Sequence, residues 1–560
     1  MREVVVISGH ICTGKSELAR RLSDEFGYLL VKTSDKLKEE AKKRGLRMDR
    51  VALQELGDII DKETGHKWLL DACIKAANEK EETEPLVVDS IRRWEQLEHF
   101  RRHYAFRVIH AHLWASPQIL KARFSARNAI IDPKERESIT YEQADLIKDE
   151  NDIEKFRRDA DVRVNIERTD SNDTLVRVAA RLGLYSPPNI RCVDVVVGGQ
   201  YGSEGKGHVA AYLAKDYDVL VRVGGPNAGH TVSSASGVNK YVQLPSGSRD
   251  TKARLLIGPG ATIRVQNLIE EIGECNVTPD RLFIDPQAMT IEDKDIEEEK
   301  KLIASISSTG RGGGAAAARR IMGRTKGEVR LARDIPELEP YVGVSPNFRG
   351  STRHRLEEAY RKGRTILLEG TQGSGLSIYH GQYPHVTSRD TNVAGCLAEA
   401  GISPSRVRRI IMVVRSTPIR VGNPPNNPEN TSGGLKHETR FSEVARRAGI
   451  DGKELEQHEV GTISKKPRRV GWFEWEQFRD ACALNAPTDI ALTFADYIDG
   501  TNRDARRFEQ LSEDTIRFVE ELERIAQAPV SLITTRFPRT EEEMRDLRTI
   551  IDRRNWAARR

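Results

Sequence analysis

The stretch VVVGGQYGSEGKGHVAAYLA, residues 195–214, decides the fold that the sequence predicts. Three β-branched residues run into a glycine-rich turn that ends in Gly205-Lys206-Gly207, and a run of small residues with a helical pattern follows. A strand, a glycine loop and a helix in this order surround a phosphate group with backbone N–H groups and a helix amino terminus. The stretch therefore predicts a phosphate-binding loop in an α/β sheet.

The amino terminus carries a second loop of this kind. The strand EVVVIS leads into Gly9-His10-Ile11-Cys12-Thr13-Gly14-Lys15-Ser16, a complete G-x-x-x-x-G-K-S pattern, and then into an amphipathic segment. In such a loop the lysine, Lys15, reaches the β and γ phosphates, and the hydroxyl of Ser16 is a magnesium ligand. Asp89 ends another apolar run, PLVVDS, where a carboxylate would hold the metal through water. This region predicts a nucleotide-binding domain.

Composition narrows the class of protein. The chain has 560 residues, enough for two to four domains, and 89 basic against 84 acidic residues give a net charge of +5. This balance argues against a nucleic-acid partner, and no apolar run is long enough to indicate a membrane span or a signal peptide. The 6 cysteines form no C-x-x-C pair, so neither a disulfide framework nor a zinc ribbon is expected. We expect a cytoplasmic protein without membrane partners.

The order of strands and helical segments predicts two domains. Strand-like runs alternate with amphipathic segments up to Pro187-Pro188, and a new alternation begins at Cys192. We therefore expect domains at residues 1–187 and 192–560, each with a mainly parallel α/β sheet.

Several glycine-containing segments of the second domain follow apolar strands. Asn227, Gly229, His230 and Thr231 lie on a loop after the strand VLVRVGG, where side chains meet ligands at the carboxyl edge of a sheet. His230 lies in a second glycine loop, which favours a catalytic role over a structural one. Similar segments are STGRGGG, LLEGTQGSGL, YPHVTSRDT, EVGTISKKPRRVGWF and LTFADYIDG.

The first domain resembles the nucleoside monophosphate kinases in the segments GHICTGKSELARRL, TSDKLKEEAKKRG, VVDSIRRWEQLEHFR and ARFSARN. The resemblance covers most of residues 1–185 and implies a P-loop kinase with Gly9, Gly14, Lys15 and Ser16 on the donor phosphates. It also implies Asp35 and Arg92 near the acceptor, and Arg123 and Arg127 in a lid that closes on the transferring phosphoryl group. The acceptor is left open.

The second domain resembles adenylosuccinate synthetase across residues 193–545, in GGQYGSEGKG, NAGHT, STGRG, GTQG, YPHVTS and RRVGW. The resemblance implies a two-step ligation. The γ-phosphate of a nucleoside triphosphate is transferred to purine O6, and the amine of L-aspartate then displaces it. Phosphorylation turns a poor leaving group into a good one, while Mg²⁺ and backbone donors stabilise the developing charge.

The same resemblance implies roles for individual residues. His230 is the general acid at O6, and Ser203, Lys206 and Gln372 complete the catalytic set. Gly229 and Ser203 lie at the magnesium ion. The donor-binding residues are Gly202, Glu204, Gly205, Gly207, His208, Thr231, Arg468 and Asp496. The purine monophosphate residues are Asn227, Thr309, Arg324, Gln372 and Thr387. Arg324, or as the second choice Arg320, reaches the phosphate in a neighbouring subunit, so a homodimer is implied. The aspartate-binding residues are Thr462, Ser464, Lys466 and Arg468.

Ser203 departs from the family, where this position is an aspartate that takes the proton from purine N1. A serine hydroxyl is not ionised near neutral pH without an adjacent base. Three interpretations are open. The site is inactive and the domain only binds nucleotides, or the substrate is still IMP and another group is the base. In the third interpretation the substrate is a different purine nucleotide. The third interpretation is favoured, because phage-type aminoadenylosuccinate synthetases resemble this chain in their G-S-E context and act on deoxyguanylate. Serine leaves room for the 2-amino group and can accept its hydrogen bond.

The sequence also leaves open which nucleobase the phosphoryl donor carries. The family's T-K-x-D segment, which reads the guanine of GTP, corresponds to Thr493-Phe494-Ala495-Asp496, and its S-T-G-P stretch corresponds to Thr534-Thr535-Arg536-Phe537. The loss of the lysine makes ATP as plausible a donor as GTP, and Phe494 or Phe537 could stack on either base. The whole sequence predicts a bifunctional purine nucleotide enzyme.

Overall fold

The computed structural model describes residues 1–79, 84–130, 140–141, 150–234, 237–325, 327–342, 350–423, 432–461, 467–537 and 548–556. The chain divides into two compact units, Met1–Tyr185 and Ser186–Arg560. Each unit is built on a mainly parallel sheet with helices, which confirms the predicted α/β class. In the described parts of the chain, every helix is too short or too polar to cross a membrane.

The first unit contains a parallel sheet with the strand order β2-β3-β1-β4-β5. The central strand β1 is apolar and buried over most of its length, as expected for a strand covered by helices on both faces. The strands are β1 Arg2–Gly9, β2 Leu29–Val31, β3 Leu86–Val88, β4 Phe106–Trp114 and β5 Val162–Asn165. The helices are α1 Lys15–Phe26, α2 Thr33–Arg44, α3 Arg50–Thr64, α4 Trp68–Asn78, α5 Trp94–Arg102, α6 Pro117–Ile130, α7 Glu150–Asp159 and α8 Ser171–Arg181.

The second unit is larger and contains a nine-stranded sheet. Its main strands are β6 Val193–Gly198, β7 Val219–Arg222, β10 Arg254–Ile257, β12 Leu282–Ile284, β14 Ile366–Gly373, β15 Val407–Arg415, β19 Asp489–Thr493, β20 Val530–Thr534 and β21 Ile550–Asp552. The shorter pairs and ribbons are β8 His230–Ser234, β9 Gly237–Tyr241, β11 Thr262–Ile263, β13 Met289–Thr290, β16 Ile419–Arg420, β17 Glu438–Thr439 and β18 Arg469–Gly471.

Helices cover this sheet and carry its connections. They are α9 Lys206–Ala214, α10 Val265–Glu274, α11 Asp293–Ile306, α12 Gly313–Met322, α13 Thr352–Arg361, α14 Val393–Ala400, α15 Phe441–Ala448, α16 Gly452–His458, α17 Trp475–Asn485 and α18 Glu513–Ala526. Buried side chains form apolar clusters on both faces of the sheet, which accounts for the continuous apolar runs in its strands.

The strand order of the large sheet places β6 where the chain changes direction. The order is β12-β10-β7-β14-β6-β15-β19-β20-β21, and all neighbours are parallel except β20 and β21. The chain runs from β6 to β7 on one side of the sheet, whereas β15 and β19 lie on the other side. Ligands bind in the crevice that such a reversal opens at the carboxyl ends of the strands.

Candidate active site

A cavity of about 970 Å³ lies in the second unit at the carboxyl end of β6. Its wall includes most residues of the loop that follows β6, together with residues 227–231. The cavity brings together the following sequence-predicted residues: Gly202, Ser203, Gly205, Lys206, Gly207, His208, Asn227, Gly229, His230, Thr231, Thr309, Gln372, Thr387 and Arg468. Segments far apart in the sequence thus meet at one site.

Two glycines give the loop its shape. Gly205 caps helix α9 with φ of 88°, a left-handed conformation that favours glycine. A Cβ atom on Gly207 would lie 2.3 Å from Cβ of His230, so only glycine lets the histidine pack against the start of the helix. The loop and the histidine are therefore fitted to each other.

Glu204 stabilises the loop from within. Its side chain is fully buried, and Oε1 accepts hydrogen bonds from the backbone N–H groups of Gln200 at 3.1 Å and Gly202 at 2.8 Å. Its Oε2 forms an ion pair with the buried Lys206. Since the carboxylate faces the loop itself, a contact of Glu204 with the donor has to come from its backbone.

Ser203 faces the cavity at the tip of this loop. It is exposed and has a φ of 53°, in the left-handed region. Its carbonyl accepts a contact of 3.5 Å from the guanidinium of Arg415. The side chain at this position is therefore presented to whatever occupies the cavity.

His230 is held by a buried carboxylate. Its Nδ1 lies 2.5 Å from Oε1 of Glu369, and Arg222 lies 3.1 Å from the same oxygen. Ser246 donates to both Glu369 oxygens, through its N–H at 2.7 Å and its hydroxyl at 2.6 Å. An ionised carboxylate only accepts hydrogen bonds, so Nδ1 carries a proton and Nε2 is left for a ligand.

The charges in this cluster set its protonation. Burial raises the pKa of Glu369, but Arg222 and His230 lower it more, so its pKa falls to about 2. Burial and Arg222 lower the pKa of His230, and Glu369 raises it by less. His230 is therefore neutral near neutral pH in the free protein, and it needs a proton at Nε2 before it can act as an acid.

Polar groups of the predicted purine site line another part of the cavity. Within the described residues, Asn227 Oδ1 and Thr309 Oγ1 are buried and have no hydrogen-bond partner. Gln372 donates a hydrogen bond of 2.8 Å to Oγ1 of Thr387. Buried polar atoms without partners are rare in folded proteins, so Asn227 and Thr309, which line the cavity, are candidates for hydrogen bonds to a ligand.

A second buried carboxylate, Glu459, connects Arg415 of β15 to Arg468 and Tyr497, which both line the cavity. It accepts hydrogen bonds from Arg415 at 2.8 Å, from Arg468 at 2.8 Å and from the hydroxyl of Tyr497 at 2.7 Å. Burial raises the pKa of Glu459, but Arg415 and Arg468 lower it more, to about 2. Arg468 is thus held at the end of the predicted aspartate loop, whose residues Thr462, Ser464 and Lys466 lie outside the described residues.

Aromatic rings form the wall at the predicted donor base. The rings of Phe494 and Phe537 are nearly parallel, at 9°, with centroids 6.0 Å apart, and His208 lies 5.3 Å from Phe537. Burial lowers the pKa of His208 to about 4, so this ring is neutral. Asp496 is fully buried, and it is not among the described residues that line the cavity.

Arg324 is exposed and lies outside the cavity of its own chain. This placement leaves its predicted contact with a neighbouring subunit as a prediction.

The first unit carries its own phosphate loop at the end of β1. Lys15 donates hydrogen bonds to the carbonyls of Gly9 at 3.0 Å and His10 at 2.7 Å. Ser16 Oγ lies 3.3 Å from Oδ2 of Asp89, whose other oxygen accepts the N–H of Thr33 at 2.9 Å. A hydroxyl next to a carboxylate suits Mg²⁺, which prefers oxygen ligands.

The other predicted kinase residues are spread around this loop. Arg92 lines a small polar pocket with Gln54 and Trp68, and Arg123 donates to the carbonyl of Ile166 at 2.9 Å. Asp35 is exposed in the first turn of α2, and Arg127 is exposed over the ring of Phe124. The structure does not bring these four residues together into one described cavity.

Sequence motifs do not single out the charged residues that position the site: Arg222, Glu369, Arg415, Arg420 and Glu459. Each is a charged residue in or next to an apolar segment, which is an unusual place for a charge. That pattern is a usable signal, because buried charges need partners.

Comparison with known proteins supports the two-part organisation. A family model described as adenylosuccinate synthetase matches residues 195–334 and 319–503, and an AAA domain model matches residues 5–176. The adenylosuccinate synthetase of Pyrococcus horikoshii is 36% identical over 370 residues, which are 64% of this chain and 98% of that protein. The enzyme of Thermococcus onnurineus is 36% identical over 350 residues, which are 61% of this chain and 95% of that protein.

A solved structure adds a phage relative. The succinoaminodeoxyadenylate synthetase of cyanophage S-2L, bound to dGMP and to dATP as an energy donor, is 27% identical with a TM-score of 0.52. The match covers 66% of this chain and 97% of that one. Together with the cavity built on the loop after β6, these matches show that the chain belongs to the adenylosuccinate synthetase family and carries a kinase-like P-loop domain at its amino-terminal end.

Proposed function

We propose that the second unit joins L-aspartate to C6 of GMP or dGMP and forms the N6-succinyl-2-amino product. A nucleoside triphosphate is hydrolysed in the process, and a 6-phosphoryl purine is the intermediate. The observation that carries this proposal is Ser203, which occupies the exposed tip of the phosphate loop and lines the cavity.

The choice of substrate follows from the size and charge of this side chain. GMP and dGMP differ from IMP by a 2-amino group next to N1. A carboxylate at position 203 would crowd this group, whereas a hydroxyl leaves room for it and accepts its hydrogen bond. The dGMP in the cyanophage relative supports this assignment.

The other residues take the roles that the family suggests. His230, positioned by Glu369, donates a proton at purine O6 once it is protonated, and Lys206 and Gln372 stabilise the reacting groups. Asn227, Thr309 and Thr387 bind the monophosphate, and Arg468 binds aspartate together with Thr462, Ser464 and Lys466. In a homodimer, Arg324 reaches the monophosphate of the other subunit.

A magnesium ion would fit this site, because Gly229 and Ser203 both line the cavity and carry a carbonyl and a hydroxyl oxygen, and oxygen is the ligand that Mg²⁺ prefers. When bound, the ion supplies positive charge that stabilises the transferring phosphoryl group.

The donor of the phosphoryl group is ATP or GTP. The aromatic wall of Phe494 and Phe537 accepts either base by stacking, and the buried position of Asp496 weakens the argument for strict use of guanine. The dATP bound to the cyanophage relative supports an adenine nucleotide.

The first unit is proposed to phosphorylate a nucleoside monophosphate, with ATP and Mg²⁺ at Lys15, Ser16 and Asp89. The short distance from Ser16 to Asp89 supports a metal site at this loop. Both activities would serve one line of purine nucleotides in the cytoplasm, and fusion would keep them at a fixed ratio.

The test is product identification. The purified protein is incubated with Mg²⁺, aspartate, ATP or GTP, and one of IMP, GMP or dGMP, and the products are followed by mass spectrometry. We expect a succinylated 2-amino nucleotide from GMP or dGMP. No product from any monophosphate would instead indicate a nucleotide-sensing protein.

Ordinary adenylosuccinate synthetase activity on IMP is the second candidate. The name and the 36% identity of the Pyrococcus enzyme favour it. Product from IMP alone would select this candidate and require another base for N1.

A further inference from the structure

Four lysines and arginines line the cavity within the described residues, and three of them are already engaged by the protein. Lys206 is paired with Glu204, and Arg468 with Glu459. Arg420 donates to the carbonyls of Gly434 at 3.0 Å and Ser432 at 2.9 Å and to Gln382 Oε1 at 2.8 Å. Within the described residues, the side-chain ammonium group of the fourth cation, Lys240, has no hydrogen bond or ion pair to the protein.

The hairpin of β8 and β9 determines where Lys240 lies. Thr231 pairs with Lys240, directly after the pair of His230 and Tyr241. Asn239 and Tyr241 are buried, whereas Val238 and Lys240 are exposed, so the alternation of the strand turns Lys240 away from the core. Both Thr231 and Lys240 line the cavity. The free ammonium group therefore lies on the strand pair that carries His230.

The ligands of this cavity carry several negative charges. A nucleoside triphosphate and a purine monophosphate both bring phosphate oxygens, and the cations paired inside the protein have much of their charge neutralised by Glu204 and Glu459. A lysine ammonium is a compact charge with three donors and binds phosphate as a point charge. A cation without a protein partner at a polyanion site is best explained by a partner on the ligand.

We propose that Lys240 binds a phosphate group of a nucleotide substrate in the ligase cavity. The proposal rests on the cavity being the nucleotide site of the ligase and is independent of the base, because IMP, GMP and dGMP carry the same 5′-phosphate. The phosphate belongs either to the monophosphate or to the triphosphate donor.

The test compares Lys240→Met with Lys240→Arg and with Lys252→Met, in the full-length chain. Lys252 is an exposed lysine that does not line the cavity, so it controls for the loss of one surface charge. The KM values for monophosphate, triphosphate and aspartate are measured with whichever monophosphate is turned over. We expect Lys240→Met to raise one nucleotide KM by about 10- to 100-fold and to leave the aspartate KM unchanged.

The nucleotide whose KM rises identifies the phosphate that Lys240 contacts. Lys240→Arg should restore most of the affinity, because it keeps the charge, and Lys252→Met should resemble the unmodified protein. In the unmodified protein the affected KM should rise with ionic strength, because salt screens the charge of Lys240. In Lys240→Met this rise should be smaller, because the charge is missing. A role in folding alone would not separate the three KM values in this way.

A direct binding experiment separates this proposal from the proposed reaction. GMP and guanosine are titrated calorimetrically into the protein and into Lys240→Met, and the same is done with ATP and adenosine. A loss of affinity for one nucleotide but not for its nucleoside supports the phosphate contact even if no ligation is detected. Unchanged affinities for GMP and ATP, together with KM values within about twofold, would overturn it.

Discussion

The two phosphate loops of this chain end in a glycine of nearly the same conformation but differ in what holds their lysine. Gly14 before helix α1 has φ 86° and ψ 18°, and Gly205 before helix α9 has φ 88° and ψ 18°. In both loops a lysine is the first helical residue. Lys15, however, donates to loop carbonyls, whereas Lys206 forms an ion pair with a buried carboxylate.

This difference shows that the second loop depends on its own side chains for its shape. Glu204 binds two backbone N–H groups and Lys206 at once, so the loop is fixed before a ligand arrives. The sequence of the first loop between Gly9 and Gly14 contains no acidic residue, so this loop has no carboxylate of its own that could take the place of Glu204. A fixed loop also presents position 203 to the cavity in one conformation, which suits a residue that selects the substrate.

Replacement of the two lysines should give the largest effects and should separate the loops. Lys206→Met should abolish ligation by about 1000-fold and lower the stability of the protein by about 3–5 kcal/mol, because it leaves the carboxylate of Glu204 buried without a counter-charge. Lys15→Met should abolish kinase turnover by a similar factor but cost less stability, about 1–2 kcal/mol, because Lys15 is partly exposed whereas Lys206 is buried. Both activities and the thermal unfolding curve are measured.

The matched double variant Glu204→Gln, Lys206→Met removes both charges and controls for this argument. It should regain part of the lost stability without regaining activity. Equal destabilisation by Lys15→Met and Lys206→Met would contradict the comparison of the two loops.

The next effect concerns the side chain that the second loop presents. Ser203→Asp should lower kcat/KM for GMP and dGMP and raise it for IMP, so that the ratio changes by about 100-fold or more. The aspartate side chain should crowd the 2-amino group of GMP and dGMP. It should also supply a base that takes the proton from N1 of IMP. Steady-state kinetics with the three monophosphates checks this, with Ser203→Ala as a neutral control of similar size. An unchanged ratio in Ser203→Asp would remove position 203 as the selecting residue.

Glu369→Gln should have a smaller effect, of about 10- to 100-fold on kcat, because His230 keeps its place but loses its charged partner. Glu369 raises the pKa of His230, whereas burial and Arg222 lower it, so the variant should lower this pKa further. The ring then becomes protonated only at lower pH. The pH above which ligation activity falls should therefore be lower in the variant than in the unmodified protein. NMR titration of the His230 ring measures the pKa, and a pKa that rises in the variant would contradict this orientation of the cluster.

The contribution of the same cluster to the free energy of unfolding should depend on pH in a defined direction. The pKa of Glu369 is about 2 in the folded protein against an ordinary 4.5, so its contribution to stability is complete above about 4.5 and is lost as pH falls toward 2. Glu369→Gln should therefore flatten the stability profile in this range. Chemical denaturation at several pH values measures it, and an unchanged profile would show that Glu369 is not ionised in the native state.

The smallest expected effect is at the donor base. Phe537→Ala should raise the KM of the triphosphate by about fivefold to tenfold and leave the KM of the monophosphate unchanged, because it removes one stacking surface. Phe508→Ala, at a ring that does not line the cavity, is a suitable control. A change in the KM of the monophosphate instead would show that Phe537 contacts the monophosphate and not the base of the triphosphate.

The sequence was sufficient for those features that depend on short stretches of chain. The runs around β1 and β6 predicted parallel strands, and the glycine and lysine spacing predicted the two loops, since left-handed glycines and helix starts are local properties. The α/β class, the membership of the chain in the adenylosuccinate synthetase family and the kinase-like P-loop domain in its first part are confirmed. These features can be predicted without knowing which residues pack against them in the folded protein.

The contacts that hold the catalytic groups could not be predicted from short stretches. Glu369 lies 139 positions after His230, and Glu459 lies 44 positions after Arg415, so only the folded sheet brings them together. The internal role of Glu204 was also missed, because the sequence does not tell whether a loop carboxylate faces the ligand or the loop. Lys240 is likewise distinguished from the other cavity cations only by the folded structure, in which their side chains contact protein groups.

One competition experiment tests the central claim most directly. Equal concentrations of dGMP and IMP are supplied together with aspartate, Mg²⁺ and ATP or GTP, and the two succinylated products are quantified by mass spectrometry at early time points. The product ratio equals the ratio of kcat/KM values, and we predict that the 2-amino product exceeds the IMP product by at least about tenfold. A ratio in favour of the IMP product would contradict the role of Ser203 and return the chain to ordinary adenylosuccinate synthesis.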